Sequence, residues 1–361
     1  MHSRTLSFLV AAPILVAGTY DPRPDLEAGR YLKALAEAEA QLKADPRNAL
    51  AMAAKSQVLS SQQRFTEALA AAESALALQP RLADAILARG LARAGTAVQQ
   101  RNFSSLRNAT GALDDLEGAT RADGRMVTAW MSLGLAYQQL PGLLGGSTRK
   151  ALACAAKLKA VNLARGETLQ GMVLSMDGHW REAEPCFQRA LALAPADPEV
   201  VYGYLDSLGS RETRKHLGIG EQKWRLAQEA LRLLPPVKTR ARALEAIADA
   251  LLDAGQAEEA WRIAKEALAQ VDAPSLVRLQ LGKLAARSGL HREEGLAMLE
   301  QVIREPLEGG SGGYPSAHWR RGQILKELGR NGEAKAAAQA ALKFDARHPG
   351  ARKLLESLDR N

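Results

Sequence analysis

Gly171-Met-Val-Leu-Ser-Met-Asp177-Gly178-His179-Trp180-Arg-Glu-Ala183-Glu-Pro-Cys-Phe187-Gln-Arg-Ala190-Leu-Ala-Leu-Ala-Pro195 is the stretch that decides the fold. Asp177-Gly178-His179 is a turn, and the residues on either side carry apolar and small side chains at helical spacing. Ala183, Phe187 and Ala190 share one face of the second helix, and Pro195 stops it. A single pair of helices cannot bury such a face alone. The unit returns at a period of about 34 residues, so the pairs stack into a solenoid with an extended concave surface.

Working outward, the same positions fall into columns. Gly90, Gly134, Gly171, Gly282 and Gly322, with Ser56 and Ala248, share one position midway along the first helix (helix A), where a larger side chain would block a neighbouring helix. Ala68, Ala112, Ala151, Ala183, Ala260 and Ala334, with Gly295, form the facing column on helix B. A third column holds Ala75, Ala119, Ala190, Ala230, Ala267 and Ala341, and Pro46, Pro80, Pro195, Pro235 and Pro306 end helix B.

Trp130-Met-Ser-Leu133-Gly134-Leu-Ala-Tyr137 reproduces the W-x2-L-G-x2-Y start of helix A in the tetratricopeptide repeat. From about Gly29 onward the chain resembles that family. The resemblance implies an all-α, right-handed superhelical solenoid whose inner wall, lined by helix A, holds a protein or peptide. The columns set about eight repeats over 49–348, with residues 1–18 as a signal peptide, 19–48 as a linker and unpaired helix, and 349–361 as a capping helix and tail. Extra residues are expected in 95–111, 138–150, 205–222 and 305–316, mostly as turns between helix A and helix B. The Pro141-Gly-Leu-Leu-Gly-Gly-Ser147 insertion is similar to a turn in bacterial periplasmic tetratricopeptide proteins associated with TRAP-type transporters. Its glycines permit positive φ, and Ser147 or Thr148 is placed to cap helix B.

Composition agrees with a helical scaffold. Of 361 residues only 4% are aromatic, and alanine and leucine dominate. The net charge of +8 is spread over helices that interleave acids and bases, which reads as solvation. His2 and Arg4 precede an apolar run from Leu6 to Ala17, the pattern of an export signal, which places the chain in the periplasm or outside the cell. Without that signal the expected compartment is the cytoplasm. The run is too short for a membrane span, and no cysteine follows it to carry a lipid. Cys154 and Cys186 occupy equivalent slots of neighbouring repeats, where small buried packing residues are expected rather than a disulfide.

Catalytic chemistry is not indicated. Gly142 to Lys150 lacks the Gly-Lys-Ser/Thr order of a phosphate loop, and Gly309-Gly-Ser-Gly-Gly313 reads as a flexible insertion. The six histidines are scattered without metal-ligand spacing, and Asp114-Asp115 face different directions. No enzyme activity, cofactor or metal is therefore expected. Arg211 to Arg242 is locally basic but lacks interleaved aromatics, so nucleic acid is not the expected partner.

Helix A geometry puts Leu87, Leu91, Met131, Leu135, Met172, Met176 and Tyr202 on the inner wall of the second to fifth repeats. Further along, the same face carries Arg242, Glu245, Asp249, Lys283, Arg287, Trp319, Gln323 and Lys326. The apolar strip and Trp319 are the candidate partner-binding residues. The faces of the first three repeats carry Leu50, Ala53, Gln57, Leu87, Leu91, Met131 and Leu135, which do not match the Lys/Asn/Arg set by which family members grip a C-terminal carboxylate. The function expected is a scaffold for a protein or peptide. The alternatives are a ligand-binding accessory to a transporter, or an assembly factor for an envelope complex.

Overall fold

A computed structural model describes residues 20–27, 29–100, 103–195, 197–208, 248–249, 251–269, 274–308 and 313–360. Among these residues the regular structure is helical and no strand occurs. The helices are α1 (Arg23–Glu27), α2 (Tyr31–Ala44), α3 (Ala49–Ser61), α4 (Phe65–Leu78), α5 (Ala83–Gln100), α6 (Phe103–Ala122), α7 (Val127–Gln139), α8 (Thr148–Val161) and α9 (Leu163–Met176). They continue as α10 (Trp180–Leu193), α11 (Pro198–Leu208), α12 (Ala257–Leu268), α13 (Pro274–Ser288), α14 (Arg292–Arg304), α15 (Gly313–Glu327), α16 (Asn331–Phe344) and α17 (Pro349–Leu358).

Consecutive helices pack as antiparallel pairs, and first helices also touch one another, as α3 does α5, α7 does α9, and α13 does α15. This gives an inner row and an outer row, the two-layer wall of a solenoid. The columns account for the closeness of the layers. Ala68, Ala151, Ala183, Ala260 and Ala334 are fully buried, and Ala112 nearly so. At Gly282 a β-carbon would stand 2.3 Å from the Leu299 side chain of the paired helix. The glycine column does not always face its own partner, since the Leu169 side chain that meets Gly134 at 2.7 Å belongs to the next inner helix.

The turn at Asp177-Gly178-His179 closes as the sequence suggests. Gly178 takes a left-handed φ of +85°. The Gly178 and His179 amides donate to the carbonyls of Ser175 (3.1 Å) and Leu174 (2.8 Å). In the first repeat the equivalent residue is Gln63, which holds the same conformation at φ +63° without a glycine. Beyond the turn, Phe187 is fully buried, stacked on Tyr204 of α11 at 4.8 Å and tilted against Trp180 of its own helix at 6.2 Å, so α10 and α11 meet on one ring.

Two expectations are corrected. The described residues of the 95–111 insertion lengthen both helices, giving α5 18 residues and α6 20 residues. The linker expected within 19–48 ahead of α2 holds the short helix α1, which packs on α2 and α3. The Pro141–Ser147 insertion does form a turn, with a 3-10 turn at Gly142–Leu144, φ +94° at Gly145, and the Ser147 side chain accepting from the Lys150 amide to cap α8. The 205–222 insertion lies mostly, and the basic segment from Arg211 to Arg242 wholly, outside the described residues.

One connection is long-range. After α14, the Leu307 carbonyl accepts a hydrogen bond from Gln62 Nε2 at 3.2 Å, and the Glu308 carboxylate accepts one from the Leu32 amide at 2.7 Å. The C-terminal repeats therefore touch the N-terminal ones.

Candidate functional site

The inner row of the N-terminal repeats encloses a half-open cavity of about 300 Å³ between α1, α3, α5 and the start of α7. Its apolar wall comes from Leu26, Phe65, Leu87, Leu91 and Met126, with Tyr31, Gln57, Ser60, Ser61 and Thr128 supplying polar groups. Asp84 and Arg23 sit together at one side. Arg23 donates from Nε and Nη2 to the two Asp84 oxygens at 3.0 and 2.8 Å, a bidentate pair. That hydrogen bonding to Asp84 raises the guanidinium pKa above its ordinary value, against the opposing effect of burial.

Ser60 and Ser61 both line the cavity. The Ser60 hydroxyl oxygen is buried and has no hydrogen-bond partner, whereas Ser61 Oγ is satisfied by donating to the Val58 carbonyl at 2.7 Å.

The predicted apolar strip divides. Leu87 and Leu91 come together in the cavity wall. Leu87 and Met172 are buried, only 2% and 7% exposed, so the continuous open strip expected of them is not what forms. The physical reason is close approach of inner helices: a β-carbon at Gly203 on α11 would lie 3.2 Å from Met172 Sδ. Met131 and Leu135 are half-buried against the core clusters on both sides of them. Met176 is exposed, and Tyr202 is half-buried with its hydroxyl donating to Asp206 at 3.4 Å. Trp319 lies apart, half-buried between Arg320, whose guanidinium carbon is 3.9 Å from its ring centre, and His348 at 5.0 Å.

The charged end is internally paired. Arg287 meets Asp249 at 2.7 Å and Asp253 at 3.0 Å, and Lys326 donates to Ser357 at 2.9 Å. Gln323 accepts from Arg320, whose pKa burial pushes down to about 10. Arg242 and Glu245 lie outside the described residues.

Sequence reasoning missed Tyr31, Gln57, Ser60 and Phe65 as a group. Gln57 stood on the expected inner face, but the other three come from helix ends or the outer helix, where the period assigns no inner-face role.

The thiols offer no reactive group. Cys154 and Cys186 are free and buried, and burial pushes the Cys154 thiol up to about 11, with the Glu117 charge adding to the effect. Among the described residues no cluster of three His, Cys, Asp or Glu is arranged to hold a metal, and no helix is long and apolar enough to cross a membrane.

Tetratricopeptide-repeat family models match residues 25–83 and 315–348. The chain thus carries tetratricopeptide repeats near both ends, in repeats of a kind that typically serve as protein-interaction modules. Among solved structures, yeast Tom70 is similar in fold, with a TM-score of 0.53 at 16% identity over 98% of this chain and 71% of that one. A thermophilic tetratricopeptide-repeat protein of Thermus thermophilus is 22% identical over 53% of this chain and 100% of its own, with a TM-score of 0.44. No curated protein matches in sequence.

Proposed function

We propose that this chain is a non-catalytic scaffold that binds a peptide segment of a protein partner on its inner row, with the N-terminal cavity as the principal pocket. The observation that carries this reading is the cavity itself, whose wall brings together Leu87, Leu91 and Phe65 with Tyr31 and Gln57. At about 300 Å³ it has room for one or two side chains rather than a large cofactor, and it opens onto the inner wall. An apolar side chain would supply contact energy there, and the polar lining residues Gln57 and Thr128 would orient the backbone that carries it. The apolar run from Leu6 to Ala17 supports placing this activity in the cell envelope. A role beside a transporter is supported by the Pro141–Ser147 turn, which leaves Leu143 fully exposed for docking.

The experiment is site-specific photo-crosslinking in the source cell. p-Benzoylphenylalanine at Gln57, on the cavity wall, should give discrete protein adducts. The same group at Leu106, exposed on outer helix α6, should give none. Adducts of equal yield at both positions, or none at Gln57, would overturn the reading.

A further inference from the structure

Residues 306–308 have no regular structure, yet Leu307 and Glu308 are buried, 8% and 4% exposed. The segment is anchored at its base by its own repeats. Tyr314 Oη donates to the Glu305 carbonyl at 2.7 Å, Arg278 pairs with the Glu305 carboxylate, and the Glu308 amide donates to Ser275 Oγ at 3.4 Å. Two of its other polar groups meet the opposite end of the molecule. Gln62 Nε2 reaches the Leu307 carbonyl at 3.2 Å, and the Leu32 amide reaches the Glu308 carboxylate at 2.7 Å.

Those two donors form a peptide-reading arrangement. The Leu32 amide lies in the first turn of α2, where backbone amides lack intrahelical acceptors and the helix dipole favours negative charge. The N-cap of α2, Arg30, supplies no side-chain cap, so the carboxylate from Glu308 does. Gln62 holds a backbone carbonyl, a contact that any sequence can make. The donors adjoin Tyr31 and Ser61, both of which line the cavity. An extended acidic segment is thus seated at the cavity's edge within the protein itself.

We propose that this strap is an internal stand-in for the partner: an extended acidic peptide displaces residues 306–308, offering a backbone carbonyl to Gln62 and, at the next residue, a glutamate carboxylate to the Leu32 amide. The proposal rests on the reading of the inner row as a peptide surface and names the chemistry of that peptide. The strap is tethered, so it competes at high effective concentration, and apparent partner affinity falls by the fraction of molecules in which the strap is open.

The test uses the full chain and a fluorescein-labelled copy of its own residues 303–310, Ile-Arg-Glu-Pro-Leu-Glu-Gly-Gly, followed by fluorescence anisotropy. Glu308→Ala should bind this peptide about tenfold more tightly than the unaltered protein, because the tethered competitor is weakened. Adding Gln62→Ala to Glu308→Ala should remove the gain, and Glu308→Gln, which keeps the acceptor but not the charge, should fall between. Equal binding by Glu308→Ala and the unaltered protein, or no binding to either, overturns the proposal. Should circular dichroism show Glu308→Ala misfolded, Glu308→Gln decides alone: a gain supports displacement and no gain refutes it. Loss of the peptide effect with Gln57 adducts retained sinks this inference and leaves the inner-row reading standing. Absence of Gln57 adducts sinks the inner-row reading itself.

Discussion

Gly95 on α5 lies so close to Phe65 at the start of α4 that a β-carbon at Gly95 would stand 2.0 Å from the ring's Cε1. The contact exists because α5, which runs from Ala83 to Gln100, crosses the beginning of the outer helix of the preceding repeat. Phe65 in turn forms part of the cavity wall. A contact between neighbouring repeats therefore helps hold one side chain of the cavity wall in place.

Gly95→Leu should displace the Phe65 ring. Overpacking of this kind costs about 1–3 kcal/mol, so chemical denaturation should show a loss of that order. Adduct yield from Gln57 should fall with it. Native stability together with native adduct yield would show that the Gly95–Phe65 contact does not set the cavity.

Phe187→Ala should be more damaging. Phe187 is fully buried and stacked on Tyr204, and truncating a buried phenylalanine typically costs about 3–5 kcal/mol. Apart from the 306–308 strap, contacts here run between neighbouring repeats, so the loss should be local. Hydrogen exchange should accelerate in α9, α10 and α11 while α3 and α4 keep their protection. Uniform acceleration along the chain would contradict a one-dimensional architecture.

Acidification should loosen the C-terminal end. Burial lowers the pKa of His348, Asp345 opposing and Arg320 adding to the effect, and burial with the Arg321 charge lowers that of His318. The unfolded chain then takes up these protons at the ordinary value of about 6.5, before the folded one does. Stability is therefore fully present above about pH 6.5 and is lost as pH falls through the lower folded-state values. His348 Nδ1 also accepts from the Ala351 amide at 3.1 Å, capping α17, and protonation removes that acceptor. Thermal melts between pH 7.5 and pH 5 should show the decline, and His348→Asn, which keeps a capping acceptor without titrating, should reduce it. An identical pH dependence in His348→Asn would remove His348 as a source.

The repeat was legible because its packing residues are constrained pairwise. Gly282 must be small to admit Leu299, and Ala183 must be small to lie between helices, so both signals survive in one sequence. The inner strip was half legible. Helical spacing put Leu87 and Leu91 on the correct wall, but it could not show that Met172 would be buried by the approach of α11. Phe65 and the 306–308 strap escaped because both depend on contacts outside the period. Phe65 packs on Gly95 of the following repeat, and Glu308 meets an amide 276 positions away.

Peptide capture in the N-terminal cavity is tested most directly by hydrogen exchange of the whole protein, alone and saturated with the partner peptide recovered from the Gln57 adduct. Capture at the cavity predicts slowed exchange in α1, α3, α5 and the start of α7, with α4, α6 and α8 unchanged apart from the turn bearing Phe65. Protection confined to outer helices, or to α13 through α17, would contradict it.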